Sequence, residues 1–446
     1  MVLVSLVGDF YSSIIPVFYH YKNQITKHII IYNEHKNDKV IARKLINGSE
    51  VFNEHHHLNI ETIDLKIDED SQEAIDRAIK TIDELCPNKE ELFINVTDGL
   101  SNVIVLMGEY FRETPASLIT YDRFDNEMNI IKAGVMSHIP QVTSVPIKDH
   151  FLLKAVTIEK ASDRHLADLH EEFLNRLFIT CGGAIDEIED IPEVFVNKQM
   201  GFLFEFYVYN LLKRLNYDDI VVGAIVHDYY TQENFIPNEF DILIMKNNHL
   251  HMIECKYQNK EPSVSYIYKA ISVEKVIDED GKSIIVTNSD TYNITDDTHF
   301  NHKLTTNYKR AKNNNIILRG SPINNGKEFI RDVDSFFGLQ TEGIEVIEDG
   351  LDSYFDKECN AKIKEINSAL CELFGLDVNF FSQHSTSRLL SYKTNYIDNG
   401  KIWDLMEHSE LRHFIKMIHK FNLKSAKAKP LKSIYKFFTR HIQKSS

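Results

Sequence analysis

The sequence predicts an α/β protein: two α/β units in series, followed by a helical C-terminal part. Three observations carry this expectation. Residues 1–145 alternate short β-branched runs with helical stretches, the pattern of a mostly parallel sheet with helices on both faces. Residues 196–320 open with a long apolar helical run and continue through strands, a helix and two more strands. Residues 321–446 place Ile402, Leu405, Met406, Leu411, Phe414, Ile415 and Ile418 at helical spacing,.

In chain order, Val2–Val7, His28–Tyr32, Ile60–Ile67 and Glu91–Thr97 read as strands, with a helix over Ser71–Cys86 whose apolar positions are Ala74, Ile75, Ala78, Ile79 and Ile82,. Ser117–Tyr121 and Met128–Ala133 read as a closing pair. Residues 146–195 are mixed and largely helical, broken at Cys181-Gly182-Gly183, and are expected to be a helical connector. The second unit is expected to run as a helix over the apolar stretch from Met200 to Leu215, a strand near Asp219–Val226, two strands carrying Asp241 and Glu254, a helix over Ser263–Ile277, and strands Ser283–Thr287 and Asn315–Leu318.

Composition bounds the function. With 446 residues, 43% hydrophobic and 26% charged, the chain is expected to be a soluble globular protein of several domains,. Charged or polar residues interrupt every apolar run, so no membrane span is expected. Met1–Asp9 is short and lacks a basic leader, so it reads as a first strand,. Five dispersed cysteines form no CxxC pair. That usage suits a reducing cytoplasm and argues against a disulfide framework or structural zinc. There is neither GxGxxG nor a Walker lysine, so the common nucleotide-cofactor readings lack support. The triple His55-His56-His57 is set aside as a metal site, because adjacent residues cannot all face one ion. The net charge of -16 is uneven: residues 411–446 hold ten Lys or Arg and no Asp or Glu. Lys432, Lys436, Arg440 and Lys444 recur four apart beside an apolar stripe. They form either the solvated face of a packed helix or a surface for nucleic-acid phosphates.

The chemistry concentrates at Asn238–Met245 and His251–Lys256. An acid begins one apolar run, and Glu254-Cys255-Lys256 ends the next. Alternation puts Glu254 and Lys256 on one face. Lys246-Asn247-Asn248-His249 reads as a hairpin turn that brings Asp241 opposite Glu254,. Two such carboxylates are costly together unless a hard cation, Mg²⁺ or Mn²⁺, shares them. A neighbouring lysine then orients a water or offsets phosphate charge.

These residues resemble the PD-(D/E)xK nuclease superfamily, the restriction-endonuclease fold, with Asp241 preceded by Pro237-Asn238-Glu239-Phe240 instead of an immediate proline. The resemblance implies a metal held by Asp241, Glu254 and the backbone carbonyl of Cys255. It implies that Lys256 positions the attacking water and that Glu205, on the preceding helix, supports the metal or its water shell.

In the first unit, Gly8-Asp9-Phe10-Tyr11-Ser12-Ser13 ends the first strand, and Asn95–Asn102 leads from the fourth into a helix. Ligands of such sheets bind beyond the carboxyl ends of the strands, where small polar residues present N–H groups and hydroxyls to phosphates. These segments resemble the CARF domain, the sensor of cyclic oligoadenylate messengers in type III CRISPR defence. Asn95, Thr97 and Gly99 match its second signature; Asp98, Leu100 and Ser101 stand where the family shows Gly, Thr and Lys. CARF domains joined to PD-(D/E)xK domains form a group of messenger-activated nucleases, and the resemblance covers roughly residues 1–320, including Ile267-Tyr268-Lys269. It implies a CARF-like sensor over 1–145, a connector over 146–195, a nuclease over 196–320 and a basic helical extension over 321–446. It further implies a cytoplasmic homodimer cutting RNA, single-stranded DNA or duplex DNA. The activator site would be lined by Gly8, Asp9, Ser12, Asn95, Thr97, Gly99 and Ser101, with Asp98 turned away or capping the helix. The missing lysine implies little self-catalysed loss of the messenger. Two other readings are a messenger-independent restriction or repair endonuclease, and a ligand-responsive nucleic-acid-binding regulator with a degenerate nuclease core.

Overall fold

A computed structural model describes most of residues 1–344; positions 9–10, 34–37, 100, 161–163, 181–184, 186–187, 189, 229–237, 258–263, 278–280, 289–306, 308, 315, 321, 323–325 and 345–446 lie outside the described residues.

The first unit contains β1 (Val2–Leu6), α1 (Ile15–Tyr21), β2 (Lys27–Asn33), α2 (Asp38–His56), β3 (Glu61–Ile67), α3 (Gln72–Leu85), β4 (Leu92–Asn95), α4 (Ser101–Phe111), β5 (Ser117–Asp122), β6 (Glu127–Lys132) and β7 (Val135–Ile139). Its sheet has the order β3-β2-β1-β4-β5-β6-β7. The strands from β3 to β5 are parallel, while β6 and β7 add antiparallel pairs. Helix α3 shows how sequence sets an element. Ser71 caps it by accepting the Ala74 N–H, and Ile75, Ala78, Ile79 and Ile82 are its buried stripe,. One core layer joins α1 and α2 to the sheet, and another joins α3 and α4 to it. Both faces are covered, which explains the near-continuous burial of β1,. The closing pair expected from the sequence gains a third strand, β7, an exposed edge.

The second unit begins earlier than expected. Within the segment read as a connector, α5 (Ile147–Leu153) is followed by β8 (Val156–Lys160), α6 (Arg164–Leu169) and α7 (Glu171–Asn175). Strand β8 pairs antiparallel with β9 (Asp219–Asp228). Its short length hid it among helical residues. The unit continues with α8 (Met200–Leu212), β10 (Asn238–Lys246), β11 (His249–Lys256), α9 (Val264–Ile277), β12 (Ser283–Thr287), β13 (Ile316–Arg319) and α10 (Gly326–Phe337). The sheet order is β13-β12-β11-β10-β9-β8. Helices α8 and α10 share one core layer, and α9 packs into the layer on the other face. Phe329, Ile330, Val333 and Phe337 of α10 are buried there, so the start of the expected third part belongs to this unit.

The two units meet through α5 and two hairpin tips. Ile147 and Phe151 enter the core of the second unit, while Leu152 and Leu153 enter that of the first. Asn248, in the β10–β11 turn, accepts the Val145 N–H at 2.7 Å and donates to Asn126 Oδ1 at 2.8 Å. His249 Nε2 donates to the Arg123 carbonyl at 2.7 Å. Asn247 and Asn248 have φ of 50° and 63°, the left-handed turn conformation that asparagine tolerates. Among the described residues, no helix is long and apolar enough to cross a membrane.

Candidate nuclease and ligand sites

Asp241 occupies an irregular position in the second sheet. The β9–β10 ladder pairs Phe240 with Ala224 and Ile242 with Val222, and skips Asp241 and Gly223 between them. Gly223 has φ of 63°, a backbone shape that disfavours side chains. The buried faces change phase there: Ile220 and Val222 lie in the α8 layer, but Ala224 and Val226 lie in the α9 layer. The β10–β11 ladder likewise stops at Ile242–Ile253. The Asp241 carboxylate takes the Cys255 N–H instead, at 2.6 Å to Oδ2. A bulge of this kind re-aims a side chain at the end of a strand.

The other groups converge on that point. Extending the β10–β11 register by one residue sets Glu254 opposite Asp241. Asp241 is 7% exposed and Glu254 only 3%. Lys256 Nζ lies 2.6 Å from Glu254 Oε1, 3.5 Å from Asp241 Oδ2 and 3.1 Å from the Cys255 carbonyl oxygen. One ammonium therefore contacts every donor assigned to a metal. Lys269, on α9, reaches the same Glu254 oxygen at 3.0 Å. Glu205 approaches from α8, on the other face.

The electrostatics show an excess of buried negative charge. Burial first, and then the Asp241 carboxylate, push Glu205 up to about 8. Burial and Glu254 push Asp241 up to about 7, against the opposing pull of Lys256 and the Cys255 N–H. Burial alone would lower Lys256, but Asp241 and Glu254 outweigh it and hold the ammonium well above its usual range. Burial raises the Cys255 thiol, leaving its carbonyl as the donor available to a hard cation. Carboxyls raised chiefly by burial, and further by one another, would ionise more readily beside a divalent cation,. Among the described residues, no group of three or more His, Cys, Asp and Glu side chains is placed to hold a metal ion. Two carboxylates and one carbonyl are the oxygen donors that would hold a hard cation such as Mg²⁺ or Mn²⁺ here.

In the first unit the candidates gather where strand order reverses between β1 and β4, the usual ligand position of a doubly wound sheet. A cavity of about 480 Å³ opens beside it, over the ends of β4, β5 and β6, lined by Ser13, Thr97, Asp98, Arg123, Phe124 and Asn129 among others. Asn95 lies behind the wall: its amide donates to the Ser13 carbonyl at 2.8 Å, and its Oδ1 accepts from the Thr97 hydroxyl at 2.6 Å. Thr97 Oγ1 in turn accepts the Tyr121 N–H at 2.8 Å. Asp98 lines the cavity just before α4. Its Oδ1 accepts the Gly99 N–H at 2.8 Å, and it packs on Gly8, where a Cβ would fall 2.6 Å from that oxygen. Ser12 Oγ is buried without a hydrogen-bond partner among the described residues. Ser101 is the exposed first residue of α4. Asp9 and the Lys432, Lys436, Arg440 and Lys444 stripe lie outside the described residues.

The sequence reading assigned no role to the β5–β6 turn, which supplies Arg123 and Phe124 to the cavity, or to Lys269. Turn residues carry no periodic signal, and Lys269 reaches Glu254 across a sequence gap of 15 residues. His56 of the histidine triple pairs with Asp149 at 2.8 Å, joining α2 to α5.

The fold and the acid–lysine cluster define a two-unit α/β protein with a nuclease-type second sheet. Residues 195–312 match the model of the Card1-like endonuclease domain. No curated protein matches the sequence. Among solved structures, protein VC1899 from Vibrio cholerae aligns at 16% identity with a TM-score of 0.55, covering 76% of this chain and 98% of that one. Can2 from Sulfobacillus thermosulfidooxidans, in complex with cyclic tetra-adenylate, aligns at 20% identity with a TM-score of 0.51, covering 74% and 98%. These two share the two-unit fold. A type III CRISPR defence DNA nuclease activated by cyclic oligoadenylate aligns more loosely, at 14% identity with a TM-score of 0.41, covering 65% of this chain and 45% of that one.

Proposed function

We propose that the protein is a metal-dependent nuclease of type III CRISPR defence, switched on by a cyclic oligoadenylate. The observation that carries the reading is the convergence of Asp241, Glu254 and the Cys255 carbonyl on one ammonium. Asp241 and Glu254, with that carbonyl, would hold Mg²⁺ or Mn²⁺. When bound, the ion supplies an activated water and neutralises charge on the phosphate. Lys256 orients the water, and Glu205 accepts hydrogen bonds from the surrounding water shell. The cyclic tetra-adenylate held by Can2, a protein of the same fold, supports a cyclic oligoadenylate as the ligand of the first unit's cavity.

In this reading two chains pair, their sensor units share one ring, and the ligand's better fit to the closed pair shifts the population toward cutting. The hairpin contact offers a route for the signal, since Arg123 lines the cavity and its carbonyl holds His249 at the start of β11. The Lys432, Lys436, Arg440 and Lys444 stripe is assigned to substrate phosphates. Changing all four to Gln should weaken nucleic-acid binding and flatten its salt dependence by about 0.7 to 0.9 per lost contact. The proposal is tested by incubating the protein with labelled RNA, single-stranded DNA or plasmid, with and without Mn²⁺ and each cyclic oligoadenylate. Cleavage should require both additions. Cutting without any activator would instead favour a messenger-independent endonuclease.

A further inference from the structure

Two lysines share one buried oxygen. Lys256 and Lys269 lie 2.6 and 3.0 Å from Glu254 Oε1, but their settings differ. The Lys256 side chain is 21% exposed and is tied to the site as the second residue after Glu254 on the same strand. The Lys269 side chain is 49% exposed and comes from α9, a separate element. A divalent ion ligated by Glu254 competes with both ammoniums, since one carboxylate oxygen cannot remain the close partner of two cations and also bind a third. The ammonium that gives way most readily is the one on the long exposed arm, because its charge stays solvated as it moves. It then stands beside the carboxylate that holds the ion, where a substrate phosphate would be bound.

We propose that Lys269 is a phosphate-binding residue of the nuclease site, paired with Glu254 before metal and nucleic acid bind and transferred to the substrate's phosphodiester when they enter. The inference rests on the nuclease reading above. It goes beyond that reading in giving a role to a lysine outside the acid–lysine strand pair. A lysine suits the task as a mobile point charge on a flexible stem.

The test uses the full-length protein with Ca²⁺ in place of Mn²⁺, so that substrate can bind without turnover. Fluorescence anisotropy across a salt series measures affinity and its salt slope for the wild type, Lys269→Gln and Lys269→Arg. Calorimetry measures Mn²⁺ affinity in the same proteins without nucleic acid. The expected result is that Lys269→Gln weakens substrate binding about 5- to 10-fold at low salt and lowers the salt slope by nearly one counterion. Lys269→Arg should recover both, and Mn²⁺ should bind Lys269→Gln as tightly as wild type or more tightly. An unchanged salt slope with weakened Mn²⁺ binding would overturn the proposal and leave Lys269 as a support for Glu254. If wild type binds no nucleic acid under any condition, the nuclease reading itself fails, an outcome distinct from failure of the Lys269 assignment.

Discussion

In the first sheet, Asn95 and Thr97 satisfy each other and bind the backbone at Ser13 and Tyr121. In the second sheet, Asp241 and Glu254 crowd together under two lysines, and Glu205 is pushed up by burial and by Asp241. The first arrangement is a scaffold: its polar groups hold two strand ends in place and leave a cavity between them. The second gathers buried carboxylates and ammoniums on one point, the arrangement the proposed metal and phosphate would engage. A binding site can rest in a satisfied state, whereas a hydrolytic site keeps charge in reserve for the reaction.

This contrast is broken most sharply in the second sheet. Glu254→Ala or Asp241→Ala should lower the cleavage rate by about a thousandfold or more, since a metal site contributes several kcal/mol to the barrier. Activator binding should be unchanged by calorimetry, and near-normal cutting by either variant would sink the assignment. In the first sheet, Asn95→Ala combined with Thr97→Ala removes buried hydrogen bonds worth about 1 to 3 kcal/mol each when left unmade. The double variant should melt earlier and bind the activator about tenfold or more weakly, while cleavage forced by excess activator keeps its maximal rate. If the maximal rate collapses instead, the two sites are less separable than the comparison holds.

The hairpin contact tests how the regions communicate. Asn248→Gly keeps the left-handed turn but removes the bridges to Val145 and Asn126. It should reduce the ratio of activated to basal cleavage about 5- to 10-fold, within the usual range of coupling energies. Activator affinity measured by calorimetry should shift less than that ratio. An unchanged ratio would remove this contact from the signal path.

A further expected effect concerns acid, and here the two regions behave alike. His28 in β2 is fully buried, accepts or donates at Ser5 Oγ at 2.9 Å, and is lowered by burial to about 3. His251 in β11 is also lowered to about 3, by burial and then by His249 and Lys282, and it stacks on Phe337. Both rings are therefore neutral in the folded protein while the unfolded chain binds protons below its ordinary value of 6.5. The folded state is favoured fully above that value and loses stability as pH falls toward 3, by up to about 1.4 kcal/mol per pH unit for each ring. Urea melts at pH 7, 6 and 5 should show this loss, and His28→Gln should flatten it.

Much of the fold was legible because its signals are local. Helix α3 carries its own cap and stripe, and strands β2 and β12 are continuous apolar runs. The Glu254-x-Lys256 spacing places both side chains on one face whatever surrounds them. Strand β8, within residues 146–195, was not legible because a five-residue segment becomes a strand only by pairing with β9. The placing of Asp98 was not legible, because it depends on Gly8, about 90 residues earlier, leaving room for the carboxylate.

The sequence by itself determined the alternation of strand and helix, the hairpin at Asn247-Asn248 and the acids and lysine of the candidate nuclease strands, because each follows from backbone periodicity or from neighbours a few residues away. Only the tertiary structure decided the strand order that sets a cavity over the ends of β4, β5 and β6, the phase change at Gly223 that re-aims Asp241, and the meeting of Lys269 with Glu254. These depend on contacts between segments far apart in the chain, and the energies that select them arise from burial and charge shared across the whole sheet.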